Sequence, residues 1–263
     1  MDLGLKNRIA IVLAGSSGIG LGVARALAQE GCDLVICGRD KARLAAAREQ
    51  ITAESGSSVL SIQADVIDAA SLDAFFETVF SHHEKVDILV NNSGGPPSGP
   101  IESLTDTDYL NAFNLVFMSK VRASRYVLPS MKKQGWGRII NIESTSIKCA
   151  LENMVLSNAF RSAAAAYAKT LAIETERDGI RVHTLMSGPF MTKRVDELGK
   201  AAAVRQGISL EQWKSDAEEN TPLGRFGDPL EYGELVAFLA STKSDYMSGN
   251  CIAIDGGALK TIS

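Results

Sequence analysis

Three polar residues near the middle of the chain have types and a spacing that could support catalysis. Ser144 follows the β-branched run at residues 139–142, so its hydroxyl is expected where a buried strand ends. Open α/β sheets bind their ligands at that edge. Ser157 and Arg161 are four residues apart in a segment rich in Ala and Leu, so they share one face of a predicted helix. The sequence therefore predicts a site formed by a strand end and the helix that follows it.

The elements that must position this site alternate between strand and helix. Strands are predicted at residues 8–13, 33–37, 59–63, 86–90, 139–142, 181–185 and 251–254, and helices at 21–30, 71–81, about 106–128 and from Ser157 onward. Short loops between them indicate an α/β fold with a single Rossmann-type, doubly wound parallel sheet and helices on both faces. We expect one domain over residues 1–263.

Composition and charge argue against several classes of partner. The formal net charge is −4 and no Lys/Arg run is present, which disfavours nucleic acid and anionic membranes. Charged residues near the N-terminus precede only a short apolar run, so neither a signal peptide nor a membrane span is indicated. The four cysteines lack metal-ligand spacing. We therefore expect no metal and a cytoplasmic protein with reduced thiols.

A glycine-rich loop follows the first predicted strand and opens onto the first helix. Its sequence is Gly15-Ser16-Ser17-Gly18-Ile19-Gly20. Glycines let the backbone approach a pyrophosphate, and the N–H groups and dipole of the next helix favour negative charge. This context predicts dinucleotide binding; an ordinary strand–helix turn is the alternative.

The end of the second strand indicates the choice of cofactor. An acidic residue there would pair with the ribose hydroxyls of NAD. Gly38 occupies that place, and Arg39 follows with a cation for a 2′-phosphate. We therefore predict that NADPH is preferred over NADH. In the alternative interpretation Arg39 is a solvated surface charge.

Together these motifs resemble the short-chain dehydrogenase/reductase family, in its 3-oxoacyl-acyl-carrier-protein reductase-like branch, along the whole chain. The matching pieces are the glycine-rich loop, Asp65-Val66, Asn91-Asn92-Ser93-Gly94, Asn114, residues 137–144, Ser187-Gly188 with Thr192, and residues 221–229 through 252–257. The resemblance implies an NADP-dependent reductase that acts on a ketone such as a 3-oxoacyl group. It also implies a homotetramer or homodimer.

The resemblance also assigns roles to individual residues. It places the pyrophosphate and ribose at Ser16, Ser17 and Ile19, the adenine at Asp65 and Val66, the ribose beside Asn92 and Gly94, and the nicotinamide at Phe190 and Thr192. Gly15, Gly18, Gly20 and Gly188 are also expected among the cofactor-binding residues. Asn114 would bind the water of a proton relay. Ser144 would hydrogen-bond the substrate carbonyl.

The catalytic centre departs from the family pattern. The family has a tyrosine thirteen residues after its serine and a lysine four residues further, where this chain has Ser157 and Arg161. Serine is a poor acid without an adjacent base, and arginine keeps a fixed charge. The family's opening Thr-Gly is also replaced, by Leu13-Ala14. Cofactor binding can survive these changes, but the usual proton relay cannot.

Two functions remain open on this basis. The first is a carbonyl reductase or alcohol dehydrogenase with a substitute or water-relayed proton donor. The second is a dinucleotide-binding protein of the same fold that has lost its chemistry and serves as a sensor or assembly subunit. Asn114, Ser144, Asn92 and Thr192 favour the enzyme. Ser157, Arg161, Leu13 and Ala14 favour the second function.

Four further expectations concern neighbouring residues. Strand alternation predicts that Glu143 points away from the substrate. Tyr167 and Lys169 are rejected as a displaced catalytic pair, because positions two apart lie on different faces of a helix. We expect His183 to be structural, and residues 193–220 to form a variable substrate lid.

Overall fold

The computed structural model describes residues 1–261, which contain one seven-stranded sheet with every strand parallel to its neighbours. The strand order is β3-β2-β1-β4-β5-β6-β7. The strands are β1 Ile9–Val12, β2 Asp33–Gly38, β3 Val59–Gln63, β4 Ile88–Asn91, β5 Gly137–Ser144, β6 Ile180–Ser187 and β7 Asn250–Ile254. The order reverses between β1 and β4, which creates the crevice where such sheets bind ligands.

Helices cover both faces of the sheet. They are α1 Gly18–Gln29, α2 Lys41–Ser55, α3 Ala69–His82, α4 Asp106–Ala112, α5 Ser119–Gln134, α6 Val155–Thr175, α7 Lys193–Gln206, α8 Leu210–Glu219 and α9 Pro229–Ala240. Buried side chains of α1, α2 and α9 form one core cluster, and those of α3, α5 and α6 form another on the opposite face. The predicted Rossmann-type sheet is confirmed.

Several predicted bounds differ from the structure. The helix expected at 106–128 consists of α4, a π-helical turn at Phe113–Met118 and α5, which extends to Gln134. The segment 193–220 contains α7 and α8, and its role as a lid stays a prediction. Helix α9 was not predicted, although Asp228 and Glu231 form a capping box at its start.

Glycines hold α1 close to α9. A Cβ on Gly22 would lie 2.1 Å from the carbonyl oxygen of Pro229, and a Cβ on Gly233 would lie 2.4 Å from that of Gly22. Only hydrogen at both positions permits this separation. The contact fixes the helix that follows the glycine-rich loop. None of the helices in residues 1–261 is both long enough and apolar enough to span a bilayer.

Candidate active site

A cleft with a volume of about 280 Å³ lies at the carboxyl edge of the sheet. The glycine-rich loop forms one end, and the end of β5 with the start of α6 forms the other. Among the predicted site residues, the following line it: Ser17, Gly18, Ile19, Gly20, Asn92, Gly94, Ser144, Ser157, Arg161, Gly188, Phe190 and Thr192. The structure thus brings most of the predicted site together.

The glycine-rich loop places the N-terminus of α1 in the cleft. Gly20 packs beneath the carbonyl oxygen of Ala14, where a Cβ would come within 2.3 Å. The amide of Asn92 donates to the same oxygen at 3.3 Å. Ala14 itself has a φ of 48°, a left-handed conformation that L-residues other than glycine adopt at a cost. The loop therefore keeps its shape with a strained alanine where the resembled family has glycine.

The residues predicted to bind the adenosine half of the cofactor do not line the cleft. Gly38 is buried under the Ser16 hydroxyl, and the Arg39 side chain is exposed beyond it. Asp65 accepts a hydrogen bond from the backbone of Ile67 at 3.1 Å and follows β3 at the same sheet edge. The other predicted contacts that do not line the cleft are Gly15, packed against Ile36, and Val66, buried in the core. Their roles toward a cofactor stay predictions.

Ser144, Ser157 and Arg161 lie together at the far end of the cleft. The Ser144 hydroxyl accepts a hydrogen bond from the Ser146 backbone at 3.1 Å and keeps its own proton for a ligand. Arg161 donates from Nε to the Ser157 hydroxyl at 3.0 Å. Ser157 is only 2% exposed although it borders the cleft. The arginine thus polarises a serine in the place where the family has its tyrosine.

Glu143 lies at the floor of the cleft, bonded to two cations. Arg161 Nη1 lies 3.0 Å from one carboxylate oxygen, and the Lys120 ammonium is hydrogen-bonded to the other. The expectation that Glu143 faces away was therefore wrong. The reason is that α6 packs against β5 and brings Arg161 within hydrogen-bond distance of the Glu143 carboxylate.

Lys120, which was not predicted from the sequence, lies beneath the cleft and binds Glu143. Its ammonium also donates to the carbonyl oxygen of Ile142 at 3.1 Å, and its side chain is 2% exposed. Desolvation lowers the pKa of Lys120 to about 8, against the opposing attraction of Glu143. Lys120 and Glu143 are 23 positions apart, so only the packing of α5 on β5 reveals the pair.

Asn114 is not brought to the cleft. Its side-chain amide donates to the Leu110 carbonyl at 3.1 Å, and its amide oxygen accepts from Arg122 at 3.0 Å. Its backbone oxygen accepts from the Ser119 N–H, five residues on, within the π-helical turn. Each of these polar groups can still take one further partner, and the water-binding role of Asn114 stays a prediction.

The rejected pair is also away from the cleft. Tyr167 packs edge-to-face on Phe117, and Lys169 donates to the carbonyl oxygen of Gly249. Among residues 1–261, no tyrosine or histidine lines the cleft. The side-chain donors that line the cleft are therefore hydroxyl and guanidinium groups, the amide of Asn92 and the ammonium of Lys193.

The start of α7 closes one side of the cleft. Arg194 donates to the carbonyl oxygen of Pro96 at 2.7 Å and covers Gly95, where a Cβ would meet its Nε at 2.7 Å. Burial lowers the pKa of Arg194, and the nearby positive charge of Arg161 also lowers it. The cleft is consequently bordered by two guanidinium groups.

Comparison with known proteins gives matches along almost the whole chain. The family model described as enoyl-(acyl carrier protein) reductase matches residues 13–258. The chain is 34% identical over 256 residues to D-beta-hydroxybutyrate dehydrogenase of Cupriavidus necator, covering 96% of this chain and 98% of that protein. It is 26% identical over 257 residues to a 3-oxoacyl-acyl-carrier-protein reductase of Aquifex aeolicus, covering 98% and 99%. L-sorbose reductase from Gluconobacter frateurii, solved with NADPH and L-sorbose, superposes with a TM-score of 0.94 at 31% identity over both whole chains.

Proposed function

Because the chain belongs to the short-chain dehydrogenase/reductase family of oxidoreductases, we propose that it is an NADPH-dependent reductase of a ketone such as a 3-oxoacyl group. The observation that carries the proposal is the cleft itself. It joins the N-terminus of α1 to the hydroxyl of Ser144 at the switch point of the sheet. The similar sorbose reductase binds NADPH and its sugar substrate together.

The residues present fit a dinucleotide. Gly18 and Gly20 permit the tight loop that turns the N-terminus of α1 toward the cleft, since a Cβ on either would contact Thr192 or Ala14, and that N-terminus favours a pyrophosphate. The exposed guanidinium of Arg39 is free to meet a 2′-phosphate beyond Gly38. When bound, NADPH would supply the hydride.

The protein's own residues would handle the developing negative charge. Ser144 would donate a hydrogen bond to the substrate oxygen, and Arg161 would stabilise the oxyanion with its fixed charge. Ser157, bonded to Arg161 through its oxygen, would still have its hydroxyl proton to donate. A serine has no acidic pKa, so the final proton would come from water through these hydroxyls.

Cofactor choice is tested by titrating the protein with NADPH and NADH. We expect tighter binding of NADPH, and we expect Arg39→Ala to remove most of that preference, because the ribose 2′-phosphate would lose its cation. An exchange of the exposed Arg48 for Ala on α2 is the matched control. Equal affinities in the unmodified protein would contradict the choice.

Activity is tested by a screen of 3-oxoacyl thioesters, hydroxy acids and sugar ketones with NADPH. Ser144→Ala should abolish turnover of any substrate found. Binding of NADPH without turnover of any carbonyl would favour the second function, a dinucleotide sensor or assembly subunit. A rate that survives Ser144→Ala would show that the chemistry lies on other residues.

A further inference from the structure

The buried charges under the cleft floor do not cancel. Lys120 and Arg161 carry two positive charges, and Glu143 carries one negative charge, so the ionised cluster has a net charge of +1. Their side chains are 2%, 12% and 0% exposed respectively. Water screens such buried charges much less than exposed ones. The excess charge therefore acts on whatever occupies the adjacent cleft.

This excess lies at the end of the cleft opposite the glycine-rich loop. The N-terminus of α1 favours the pyrophosphate at Ser17 and Gly18. In the proposed function the adenosine half extends from there toward β2 and Arg39. The nicotinamide half must then extend the other way, toward Ser144 and Arg161. The nicotinamide ring is neutral in NADPH and positively charged in NADP+.

We infer that the cluster of Lys120, Glu143 and Arg161 makes the cleft bind the reduced cofactor more tightly than the oxidised one. The inference rests on the proposed function, since it requires a dinucleotide in the cleft. Repulsion from the cluster raises the free energy of the NADP+ complex alone. Two unit charges about 10 Å apart, at an effective dielectric of about 20, change a binding constant by roughly tenfold. The protein would thus load the form that delivers hydride and release the form that has lost it.

The decisive experiment compares the dissociation constants of NADPH and NADP+ by calorimetric titration. In the unmodified protein near pH 6.5 we expect NADPH to bind roughly tenfold more tightly. Lys120→Met makes the cluster neutral and should bring the ratio close to one. Glu143→Gln removes the negative charge that helps to keep Lys120 protonated, so the cluster keeps a net charge of at least +1 and the ratio should not fall. A general disturbance of the site would weaken both forms together, so a ratio that falls in Lys120→Met but not in Glu143→Gln is specific to charge.

Two further measurements keep the inference testable if a variant fails to fold. Lys120 is faced by Glu143 from β5 and Arg161 from α6. Because burial lowers the pKa of Lys120 to about 8, the unmodified protein should lose its preference as the pH rises through 8. The 2′-phosphate is common to both forms, so Arg39→Ala should weaken both and leave their ratio unchanged.

The outcomes separate this inference from the function on which it rests. Equal affinities for NADPH and NADP+ at pH 6.5 would overturn the inference and leave the proposed function standing. A preference that Lys120→Met and high pH both leave unchanged would also overturn it. A protein that binds neither form would refute both.

Discussion

At the scale of single residues, the proposed catalytic centre has the serine of the family pattern, Ser144, but Ser157 and Arg161 in place of its tyrosine and lysine. Arg161 contacts Ser157, Glu143 and the Ile142 carbonyl, so its guanidinium is held by three partners. An arginine held in this way positions a cation for an oxyanion but does not supply an acidic proton at neutral pH. In our proposal Arg161 can therefore stabilise negative charge, but neither Arg161 nor Ser157 is an efficient proton donor.

Restoring the family's tyrosine and lysine should improve the supply of the proton. We expect the double variant Ser157→Tyr with Arg161→Lys to increase carbonyl reduction by about 10²-fold, in the range typical of a positioned general acid. Ser157→Tyr alone should gain less, because the phenol keeps a high pKa without the lysine. Steady-state kinetics with the best ketone substrate measures the effect, and Ser144→Ala added to the double variant should abolish it. A double variant slower than the unmodified protein would show that Ser157 and Arg161 already serve a chemistry of their own.

Ala14 carries backbone strain that glycine would remove. The left-handed region costs a non-glycine residue about 1–2 kcal/mol, and glycine offsets part of the gain through its larger unfolded-state entropy. Ala14→Gly should therefore raise the free energy of unfolding by about 0.5–1 kcal/mol, measured by denaturant titration. The exposed Ala46 of α2 is a matched control, since Ala46→Gly should instead cost about 1 kcal/mol. A loss of stability in Ala14→Gly would contradict the assignment of strain.

At the scale of elements, the position of the glycine-rich loop depends on how closely α1 approaches α9. A methyl group on Gly22 cannot be accommodated 2.1 Å from the Pro229 oxygen without moving one helix. Gly22→Ala should destabilise the protein by about 1–3 kcal/mol and weaken dinucleotide binding. Thermal unfolding and an NADPH titration measure the two effects. Gly94→Ala, which has nothing within 4 Å of the added Cβ, should leave stability unchanged.

At the scale of the whole molecule, a buried histidine makes stability depend on pH. His183 is fully buried in β6. Desolvation, followed by the charge of Arg138, lowers the pKa of His183 to about 4. This supports a structural role and disfavours a catalytic one.

The unfolded chain takes up the proton first as the pH falls, because its histidine titrates near 6.5. Stability should therefore decrease between pH 6.5 and pH 4, by up to about 3 kcal/mol from this group. Denaturant titrations at several pH values measure the slope, and His183→Leu should flatten it. His82→Gln, an exposed control, should leave the slope unchanged. An identical slope in the His183 variant would assign the acid sensitivity to other groups.

Assembly is the remaining prediction at this scale. The outer side of α6 exposes Ala163, Ala166 and Ile173, the last at 63%. Small residues permit close approach of a second helix, so we predict a homotetramer or homodimer that uses this surface. Ala166→Glu should dissociate it in sedimentation experiments at micromolar concentration, whereas Ala46→Glu on α2 should not. A monomeric unmodified protein would contradict the prediction.

The sequence by itself determined the sheet and the loop that binds the cofactor in our proposal. Strand and helix periodicities are local, and a glycine-rich loop between a strand and a helix is a local pattern that predicts dinucleotide binding. Ser144, Ser157 and Arg161 were predicted to share a site because a strand end and the helix after it are close along the chain. The structure places them in one cleft.

Only the tertiary structure decided what surrounds them. Lys120 reaches Glu143 because α5 packs across β5, and no spacing rule connects positions 23 residues apart. The π-helical turn at Phe113–Met118, which contains Asn114, interrupts a segment whose residue pattern predicted one continuous helix. Side-chain partners across elements depend on packing in three dimensions, so the charge under the cleft floor could not be derived from the order of residues alone.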